Sequence, residues 1–380
     1  MRVVIYNTNS FGGNYNYSIE LARAYRSRKD VENCVVLSPP SRNTTEPQNT
    51  GSFLLPDESP YLNGFIRKLY FLIRSFVNPF RLYRFLKNYP DAILLFNDYD
   101  QVSAPVWVPF FKTLKKRHIL SVILHDPDRD RYFPNKKLSV WTMTKFMTII
   151  DVAFYHELLP DKSYFNKVGT KVKVPHGIYI YPDTDLQFLA TIKANSRGKY
   201  VISILGNVRT EKNYELAINA LQSLPDVMLL VAGAAANSRI SIQKYQDQIS
   251  ESGVSQQVLW VDKFLSDAEL QAAINASDML LMCYKPGFTS QSGILNLIAP
   301  YHKNIIVGDS PSALQKTVED FSLGQIIPLT TQALVNAVND TRENSRQYHA
   351  GWERYIKYAS WESHADISLS ILKIKQTEIQ

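Results

Sequence analysis

Apolar runs alternate with segments of helical periodicity along nearly the whole chain. One series of short apolar runs begins at residues 3–6, and a second series begins at residues 200–205. Strands that alternate with helices predict parallel sheets covered by helices on both faces. Two such series predict an α/β protein with two doubly wound, Rossmann-like domains. The predicted strands are residues 3–6, 34–37, 92–96, 119–124, 152–155, 172–174, 200–205, 227–232, 258–261, 279–283, 304–307 and 324–327.

Both periodicities are interrupted between the two series. Pro175, His176, Gly177 and Pro182 stand together there, and such residues are typical of loops and linkers. We therefore predict an N-terminal domain over residues 1–178 and a C-terminal domain over residues 179–346. The last segment, residues 347–380, has a helical pattern and is predicted to pack back on the N-terminal domain. Facing strand ends would place a ligand-binding cleft between the two domains.

Composition narrows the class of protein. The chain has 380 residues, of which 45% are apolar and 20% charged, so wholesale disorder is excluded. Its two cysteines are too few for a disulfide framework or a zinc finger. No basic leader with a long apolar core and no run of 18 apolar residues occurs, so we expect a cytoplasmic protein.

Charge is unevenly distributed along the chain. Residues 1–180 contain 25 Lys and Arg against 15 Asp and Glu, which gives 25 − 15 = +10. The remainder contains 17 against 20, which gives −3, and the whole chain carries +7. A basic first half and a mildly acidic second half indicate different partners for the two domains.

The basic charge is concentrated in a segment rich in aromatic residues. Residues 59–90 contain no Asp or Glu, and their cations alternate with Phe, Tyr, Leu and Ile. This pattern predicts one or two amphipathic helices, broken at Pro79, that lie in an anionic membrane interface. A core helix whose cations extend outward is the alternative; no recognition motif supports binding of nucleic acid. The cations assigned to the interface are Arg67, Lys68, Arg74, Arg81 and Arg84.

In the first half, polar residues follow two predicted strands. Gly12 and Gly13 follow residues 3–6 and would let a ligand approach the backbone, although the spacing is not that of a dinucleotide fingerprint. A tight turn is the alternative. His125 and Asp126 follow residues 119–124, where they would handle protons or contact a sugar. A histidine that merely caps the turn before Pro127 is the alternative. His176 could contact the substrate or could simply belong to the geometry of the linker.

In the second half, two loops have features of a diphosphate site. Arg209 and Lys212 follow the strand at 200–205 and precede a helix, so they would offset negative charge on a leaving nucleotide. A solvated basic loop is the alternative. Ser290, Gln291, Ser292 and Gly293 open another helix, where free N–H groups suit phosphate. Simple N-capping is the alternative.

Metal binding is not expected. Several D-x-D triplets occur, among them Asp98–Asp100 after a predicted strand, and such a triplet can hold a metal–diphosphate pair. So short a motif arises often by chance, and the nearby cations already supply positive charge. We therefore expect neither a metal nor a resident cofactor.

The order and spacing of these motifs resemble a known family. The stretches ISILGNVRTEKNYELAINAL, VMLLVAG, VLWVDKFLSDAELQAAINASDMLLMCY and SQSGILNLIAPYHKNIIVGD are similar to the donor domain of retaining GT-B glycosyltransferases. The first half adds the Gly-Gly loop and the strand-terminal His of ILHDP. The resemblance is to the family-four type, which includes bacterial cell-surface polysaccharide enzymes, and it is weakest over residues 40–115.

The resemblance implies roles for individual residues. Gly12 and Gly13 would line the leaving phosphate or the acceptor, and His125 would approach the transferred sugar. Arg209, Lys212 and the amides of residues 290–293 would hold the diphosphate. Gly233 would face the nucleotide, with Lys263 and Phe264 near the base. Members of the family generally need no metal.

The sequence also departs from the family. Many relatives have two glutamates seven residues apart, at positions that correspond here to the neighbourhood of Thr289 and Leu297. Both glutamates are missing, and Asn207 stands where many relatives have Arg. Some branches of the family with a similar S-x-S-G segment also lack the pair.

These observations lead to one expected function and two alternatives. We expect a retaining, hexosyltransferase-like enzyme that moves a sugar from a nucleotide diphosphate to a lipid-linked or saccharide acceptor. It would act on the cytoplasmic face of the membrane, in polysaccharide biosynthesis. The alternatives are a GT-B nucleotide-sugar epimerase and a catalytically degenerate GT-B protein that serves as a binding or scaffold subunit.

Overall fold

The computed structural model describes residues 1–40, 51–61, 63–130, 132–181, 183–237, 239–344 and 347–379. The chain divides into two compact units. The first comprises Met1–Gly177 and Ala359–Gln380, and the second comprises Ile178–Tyr358. The sequence placed the second boundary after residue 346, whereas residues 347–358 stay with the second unit. Residues 182 and 346, which marked boundaries in the sequence, lie outside the described residues.

The first unit is built on a parallel sheet in the order β2-β1-β3-β4-β5-β6. Helices follow most of its strands, as the alternating pattern predicts. The elements are β1 (Arg2–Tyr6), α1 (Gly13–Arg26), β2 (Asn33–Leu37), α2 (Gly64–Asn88), β3 (Ile93–Phe96), α3 (Ala104–Leu114), β4 (Ile119–Leu124), α4 (Lys136–Met147), β5 (Val152–Tyr155) and β6 (Thr170–Lys173).

The second unit is built on another parallel sheet, in the order β12-β11-β10-β7-β8-β9. The elements are α5 (Leu186–Ser196), β7 (Tyr200–Leu205), α6 (Tyr214–Leu221), β8 (Val227–Ala232), α7 (Gln243–Glu251), β9 (Val258–Val261), α8 (Asp267–Ala276), β10 (Met279–Met282), α9 (Gly293–Ile298), β11 (Asn304–Gly308), α10 (Ala313–Phe321), β12 (Gln325–Ile327), α11 (Thr331–Glu343) and α12 (His349–Tyr358).

Each predicted strand is present, and the α/β prediction is confirmed. The central strands β4 and β8 are buried along their whole length, as expected for strands covered on both faces. In each sheet the chain winds outward in one direction and then in the other. The winding changes direction between β1 and β3 in the first sheet, and between β7 and β10 in the second. Ligands of open α/β sheets bind at such a switch point.

The C-terminal segment is two helices rather than one. After α12, helix α13 (Trp361–Ile379) returns to the first unit and packs on α1. There, the hydroxyls of Tyr25 and Ser368 are 2.8 Å apart, and Arg28 pairs with Asp366 at 3.0 Å. A Cβ on Gly177 would lie 2.1 Å from the Trp361 ring, so only glycine allows this contact.

Helix α2 runs through Pro79, which corrects the predicted break at that residue. A proline inside a helix removes the hydrogen bond to the carbonyl four residues earlier, here that of Ser75. The hydroxyl of Ser103 donates to this carbonyl instead, at 2.5 Å. Because the freed carbonyl has a new donor and Pro79 is buried, the helix continues to Asn88.

Candidate functional site

In the second unit, the loops that follow β7 and β10 meet at the switch point. The amide N of Lys285 donates to the carbonyl of Glu211 at 2.7 Å. A Cβ on Gly206 would lie 3.3 Å from Ile294 of α9 and 3.5 Å from the Lys212 ammonium. The first turn of α9 therefore packs against the same loop that carries Arg209 and Lys212.

Lys212 is buried beneath this loop. Its ammonium donates to the carbonyls of Leu205 and Gly206, the second at 2.8 Å. Burial and the nearby Arg209 lower the pKa of Lys212 to about 7. The side chain is therefore close to its titration midpoint at neutral pH, and an anion bound beside it would favour the charged form.

Arg209 extends from the same loop toward solvent. Its guanidinium lies 3.8 Å from Glu211 and is half exposed. The charge of Arg209 also acts on Tyr284, whose ring stacks on Phe288 at 4.1 Å and whose hydroxyl lies 3.1 Å from that of Ser292. The structure thus brings Arg209, Lys212 and Ser292 into one neighbourhood.

Gly233 packs against the loop that follows β7. It follows β8 with φ of +153°, and a Cβ there would lie 2.4 Å from the Gly206 carbonyl oxygen and 3.2 Å from the Asn207 amide N. Gly233 is thus in direct contact with the Gly206–Asn207 peptide. The sequence assigned Gly233 to the nucleotide, and the structure adds a packing reason for glycine at this position.

The other residues that the sequence predicted to bind the donor differ in their contacts and exposure. The Gln291 side chain is bonded to Thr317 at 3.2 Å and to Tyr355 at 3.3 Å, so it anchors the loop to α10 and α12. Gly293 is exposed at the start of α9, with Ser290 half-buried nearby. Lys263 pairs with Glu269 of α8. Phe264 is 74% exposed, which leaves its ring available for stacking.

In the first unit, the glycine loop and His125 lie at the carboxyl ends of β1 and β4. Gly12 and Gly13 are exposed at the start of α1, and a Cβ on either would meet no atom within 4 Å. The His125 Nε2 lies 2.8 Å from the Asn97 Oδ1, while the Asn97 Nδ2 donates to Asn7 and to the carbonyl of Asn14. Because Asn97 uses its amide hydrogens there, the Nε2 of His125 carries a proton.

Four histidines surround the ring of Tyr17. Its centroid lies 4.6 Å from that of His125, 5.0 Å from His176, and 5.7 Å from both His156 and His364. Burial and the neighbouring histidines hold the pKa of His125 well below its usual value. His125 is therefore neutral at pH 7 and is not a general acid there. We define these four residues as the histidine cluster.

The other histidines of the cluster are neutral for the same reason. Burial lowers the pKa of His156 and of His176 to about 3, and that of His364 to about 4. The Nδ1 atoms of His156 and His364 lie 3.0 and 2.8 Å from backbone carbonyls, to which they donate. Their Nε2 atoms are buried without a partner, so a second proton would have no acceptor.

Asp126 and the D-x-D residues occupy the same edge of the sheet. Asp126 is exposed, and its carbonyl accepts from the Nε of Arg129 at 3.0 Å. Asp98 accepts from the hydroxyl of Thr8. Burial and Asp98 raise the pKa of Asp100 to about 8. In the described part of the chain, no three His, Cys, Asp or Glu side chains are arranged to hold a metal ion.

Two functional candidates in this region, Asn97 and Asp57, were not predicted from the sequence. Asn97 and Asp57 are buried polar side chains that fix His125 and the loop after β1. Asn97 directly follows a buried apolar strand, which is the same signal that marked His125. Asp57 lies outside any periodic segment, so no comparable signal was present.

The five cations of α2 that the sequence assigned to a membrane interface differ in exposure. Arg67, Lys68 and Arg84 are exposed. Arg74 donates to the side chain of Asn9 at 3.0 Å, and Arg81 donates to the carbonyl of Phe53 at 2.7 Å, so both are turned toward the protein. Among the described helices, none combines the length and the apolar character required to cross a bilayer.

Comparisons with known proteins give structural similarity only. No family model matches the chain, and no curated protein matches it in sequence. The structure is similar to that of Anabaena HepE in complex with UDP and glucose, with a TM-score of 0.66 over 99% of both chains and 15% identity. A sucrose-phosphate synthase from Thermosynechococcus elongatus gives 0.68 over all of both chains, also at 15% identity.

A third similar structure is WaaG, a glycosyltransferase involved in lipopolysaccharide biosynthesis. Its TM-score is 0.62 at 13% identity, over 97% of this chain and 99% of that one. These full-length similarities agree with the two parallel, doubly wound sheets. The chain has the GT-B fold.

Proposed function

We propose that the protein is a glycosyltransferase that uses a nucleotide diphosphate sugar as its donor. The observation that carries the proposal is the convergence of Arg209 and Lys212 at the switch point between β7 and β10. A buried lysine near its titration midpoint and an exposed arginine form an anion site that would stabilise a departing diphosphate. HepE, a structural neighbour, has been crystallised with UDP and with UDP-glucose.

The proposed reaction retains configuration at the transferred hexose. The second unit would hold the donor diphosphate, and the exposed ring of Phe264 would stack on the base. The acceptor hydroxyl would attack from the face that the diphosphate leaves, and the departing phosphate would take its proton. Neutral His125 would contact the sugar by hydrogen bonding rather than by donating a proton as an acid.

The direct test of the proposal is release of nucleoside diphosphate from a panel of UDP-, GDP- and ADP-sugars, with and without glycolipid acceptors. Transfer that needs both donor and acceptor supports the proposal. Binding without turnover for any pair would favour a scaffold subunit instead. Conversion of one nucleotide sugar into another would favour an epimerase.

The affinity for UDP is expected to weaken about tenfold between pH 7 and pH 8.5. The pKa of Lys212 is about 7 in the free protein, so the ammonium is lost above that pH. Bound diphosphate raises this pKa, so binding takes up a proton, and the fraction of protein ready to bind falls as pH rises. Calorimetry in buffers of different ionisation enthalpy measures both effects.

Replacement of Arg209 tests whether this guanidinium binds the diphosphate itself or only adds positive charge to the second unit. In Arg209→Ala we expect a 10- to 100-fold weaker affinity for UDP, because a charge-assisted hydrogen bond contributes about 1.5–3 kcal/mol. Arg239→Ala removes an exposed arginine of the same unit and should leave the affinity unchanged. Equal affinity in both variants, with no proton uptake, would contradict the proposed diphosphate site.

We further propose that α2 and α3 place the enzyme on an anionic membrane surface. Phe65 is 76% exposed, and Phe110 of α3 packs on Phe80 of α2 with ring centroids 5.0 Å apart. An exposed apolar patch beside cations is typical of an interfacial helix. The α2–α3 patch consists of Phe65, Ile66, Leu69, Leu72, Ile73, Val106 and Phe110.

Charge reversal at three of the exposed cations of α2 is expected to weaken binding to anionic vesicles on the order of a hundredfold. Each cation near such a surface contributes about 1 kcal/mol. Co-sedimentation with vesicles of phosphatidylglycerol and phosphatidylcholine compares this triple variant, Arg67, Lys68 and Arg84→Glu, with wild type. The matched control reverses Lys137, Lys167 and Lys193, which are exposed elsewhere. Equal partitioning of both triple variants would reject the interface.

A further inference from the structure

The hydroxyl of Tyr355, on α12, contacts both α9 and the loop before it. Tyr355 is 1% exposed, and its hydroxyl lies 2.5 Å from the Oδ1 of Asn296, a buried residue of α9. The side-chain amide of Gln291, in the loop before α9, lies 3.3 Å from the same hydroxyl. One buried side chain of α12 therefore fastens two points of the segment that follows β10.

Packing fixes the position of this hydroxyl. The centroid of the Tyr355 ring lies 5.2 Å from that of Phe321 on α10 and 6.1 Å from that of Trp352 on α12. Aromatic rings at such distances pack favourably, so the ring holds its place without help from the hydroxyl. Replacement of Tyr355 by Phe therefore removes the two polar contacts and keeps the packing of the ring.

Helix α9 packs in turn on the loop that carries Lys212. A Cβ on Gly206 would lie 3.3 Å from Ile294 of α9 and 3.5 Å from the Lys212 ammonium, so both groups lie over the same face of Gly206. The carbonyl of Gly206 accepts from that ammonium at 2.8 Å. Ile294 thus helps to bury Lys212, and a displacement of α9 would let water reach the ammonium.

We propose that Tyr355 is a positioning residue for the donor site, where its hydroxyl holds α9 against the loop that follows β7. The contacts run from Tyr355 through Asn296 to α9, and from Ile294 of α9 to Gly206 and Lys212. Tyr355 acts on a bound donor only through α9. The proposal rests on the proposed function, because the site that it serves is the proposed diphosphate site.

Calorimetric titration with UDP compares Tyr355→Phe with the wild-type full chain. We expect the affinity of Tyr355→Phe for UDP to be at least tenfold weaker, because α9 is no longer fastened beside Lys212. Tyr25→Phe is the matched control, because this equally buried hydroxyl lies 2.8 Å from that of Ser368 in the first unit. Both variants lose the contacts of one buried hydroxyl and should have a lower Tm than the wild type. Only Tyr355→Phe should bind UDP more weakly.

Proton uptake provides a readout that a merely structural role would not change. Burial is the largest cause of the lowered pKa of Lys212, and its charged neighbours are Arg209 and Glu211. When α9 moves away, water reaches Lys212 and its pKa rises toward the ordinary value. More of the lysine is then charged before UDP binds, so proton uptake at pH 8 should fall by half or more in Tyr355→Phe. It should stay unchanged in Tyr25→Phe, and titration in buffers of different ionisation enthalpy measures it.

The two possible failures have different signatures. If Tyr355→Phe bound UDP as tightly as Tyr25→Phe, or took up as many protons, the role of Tyr355 would be overturned while the donor site stood. If the wild type bound no UDP, the proposed function itself would be overturned, and the positioning role with it.

Discussion

Acidification from pH 6.5 to pH 5 is expected to destabilise the first unit by about 4 kcal/mol, with little effect on the second. A histidine in the unfolded chain has a pKa near 6.5. Folding lowers the pKa of His156 and His176 to about 3 and that of His364 to about 4. Between these values the unfolded chain binds protons that the folded unit excludes, so stability falls as pH falls.

The magnitude follows from proton linkage. An unfolded histidine is already half protonated at pH 6.5, so each of the three costs about 1.6 kcal/mol between pH 6.5 and pH 5, about 5 kcal/mol together. Asp100 acts in the opposite direction, because its pKa of about 8 lets the folded state bind a proton that the unfolded chain releases. Its gain is about 2 kcal/mol over the same interval. His125 shifts in the same direction as the other histidines and adds to the loss.

Hydrogen exchange in urea, followed by mass spectrometry, reports each unit separately. Between pH 6.5 and pH 5 the unfolding midpoint should fall for peptides of the first unit and stay nearly constant for those of the second. His364→Asn keeps a donor near the Nδ1 position and removes the titrating ring, so the pH slope should fall by about one proton. His302→Gln, in the second unit, is the control. An unchanged slope in His364→Asn would contradict the assignment.

The histidine cluster could be predicted from the sequence only in part. The pattern of apolar runs predicted each strand, because parallel strands buried on both faces are nearly continuous apolar segments. The same pattern marked His125, which directly follows a strand, and His176, which follows a strand through Pro175. Nothing in the sequence placed His364 beside them, because it reaches Tyr17 through the return of α13 to the first unit.

The directions in which the arginine side chains of α2 point also could not be predicted from the sequence. Arg67, Arg74 and Arg81 follow one another at seven-residue intervals, yet Arg74 bonds to the Asn9 side chain and Arg81 to the Phe53 carbonyl. Arg74 and Arg81 lie on the side of α2 that is turned toward the protein, whereas Arg67, Lys68 and Arg84 are exposed. Similarly, the break predicted at Pro79 is absent because a distant residue, Ser103, satisfies the carbonyl that proline leaves free.

Gly233→Ala is expected to weaken UDP binding at least a hundredfold. The new Cβ would lie 2.4 Å from the Gly206 carbonyl oxygen, which is part of the backbone and has no rotamer by which to move away. The loop after β7 must therefore shift as a whole. Since Lys212 donates to that same carbonyl and Arg209 lies three residues further on, both cations lose their positions. Each charge-assisted contact to the diphosphate contributes about 1.5–3 kcal/mol, so the loss of both weakens binding at least a hundredfold.

The variant Gly253→Ala, in the same unit, serves as a control for backbone strain without displacement of the loop. Gly253 also has a positive φ, +69°, but a Cβ there would meet no atom within 4 Å. Gly253→Ala should therefore lower the free energy of unfolding by only about 1 kcal/mol, from the unfavourable backbone conformation. It should bind UDP as the wild type does. Calorimetric titration of both variants at pH 7 compares the two costs directly. If Gly233→Ala bound UDP within threefold of Gly253→Ala, the loop after β7 would not be the element that holds the diphosphate, and Arg209 and Lys212 would lose their proposed role with it.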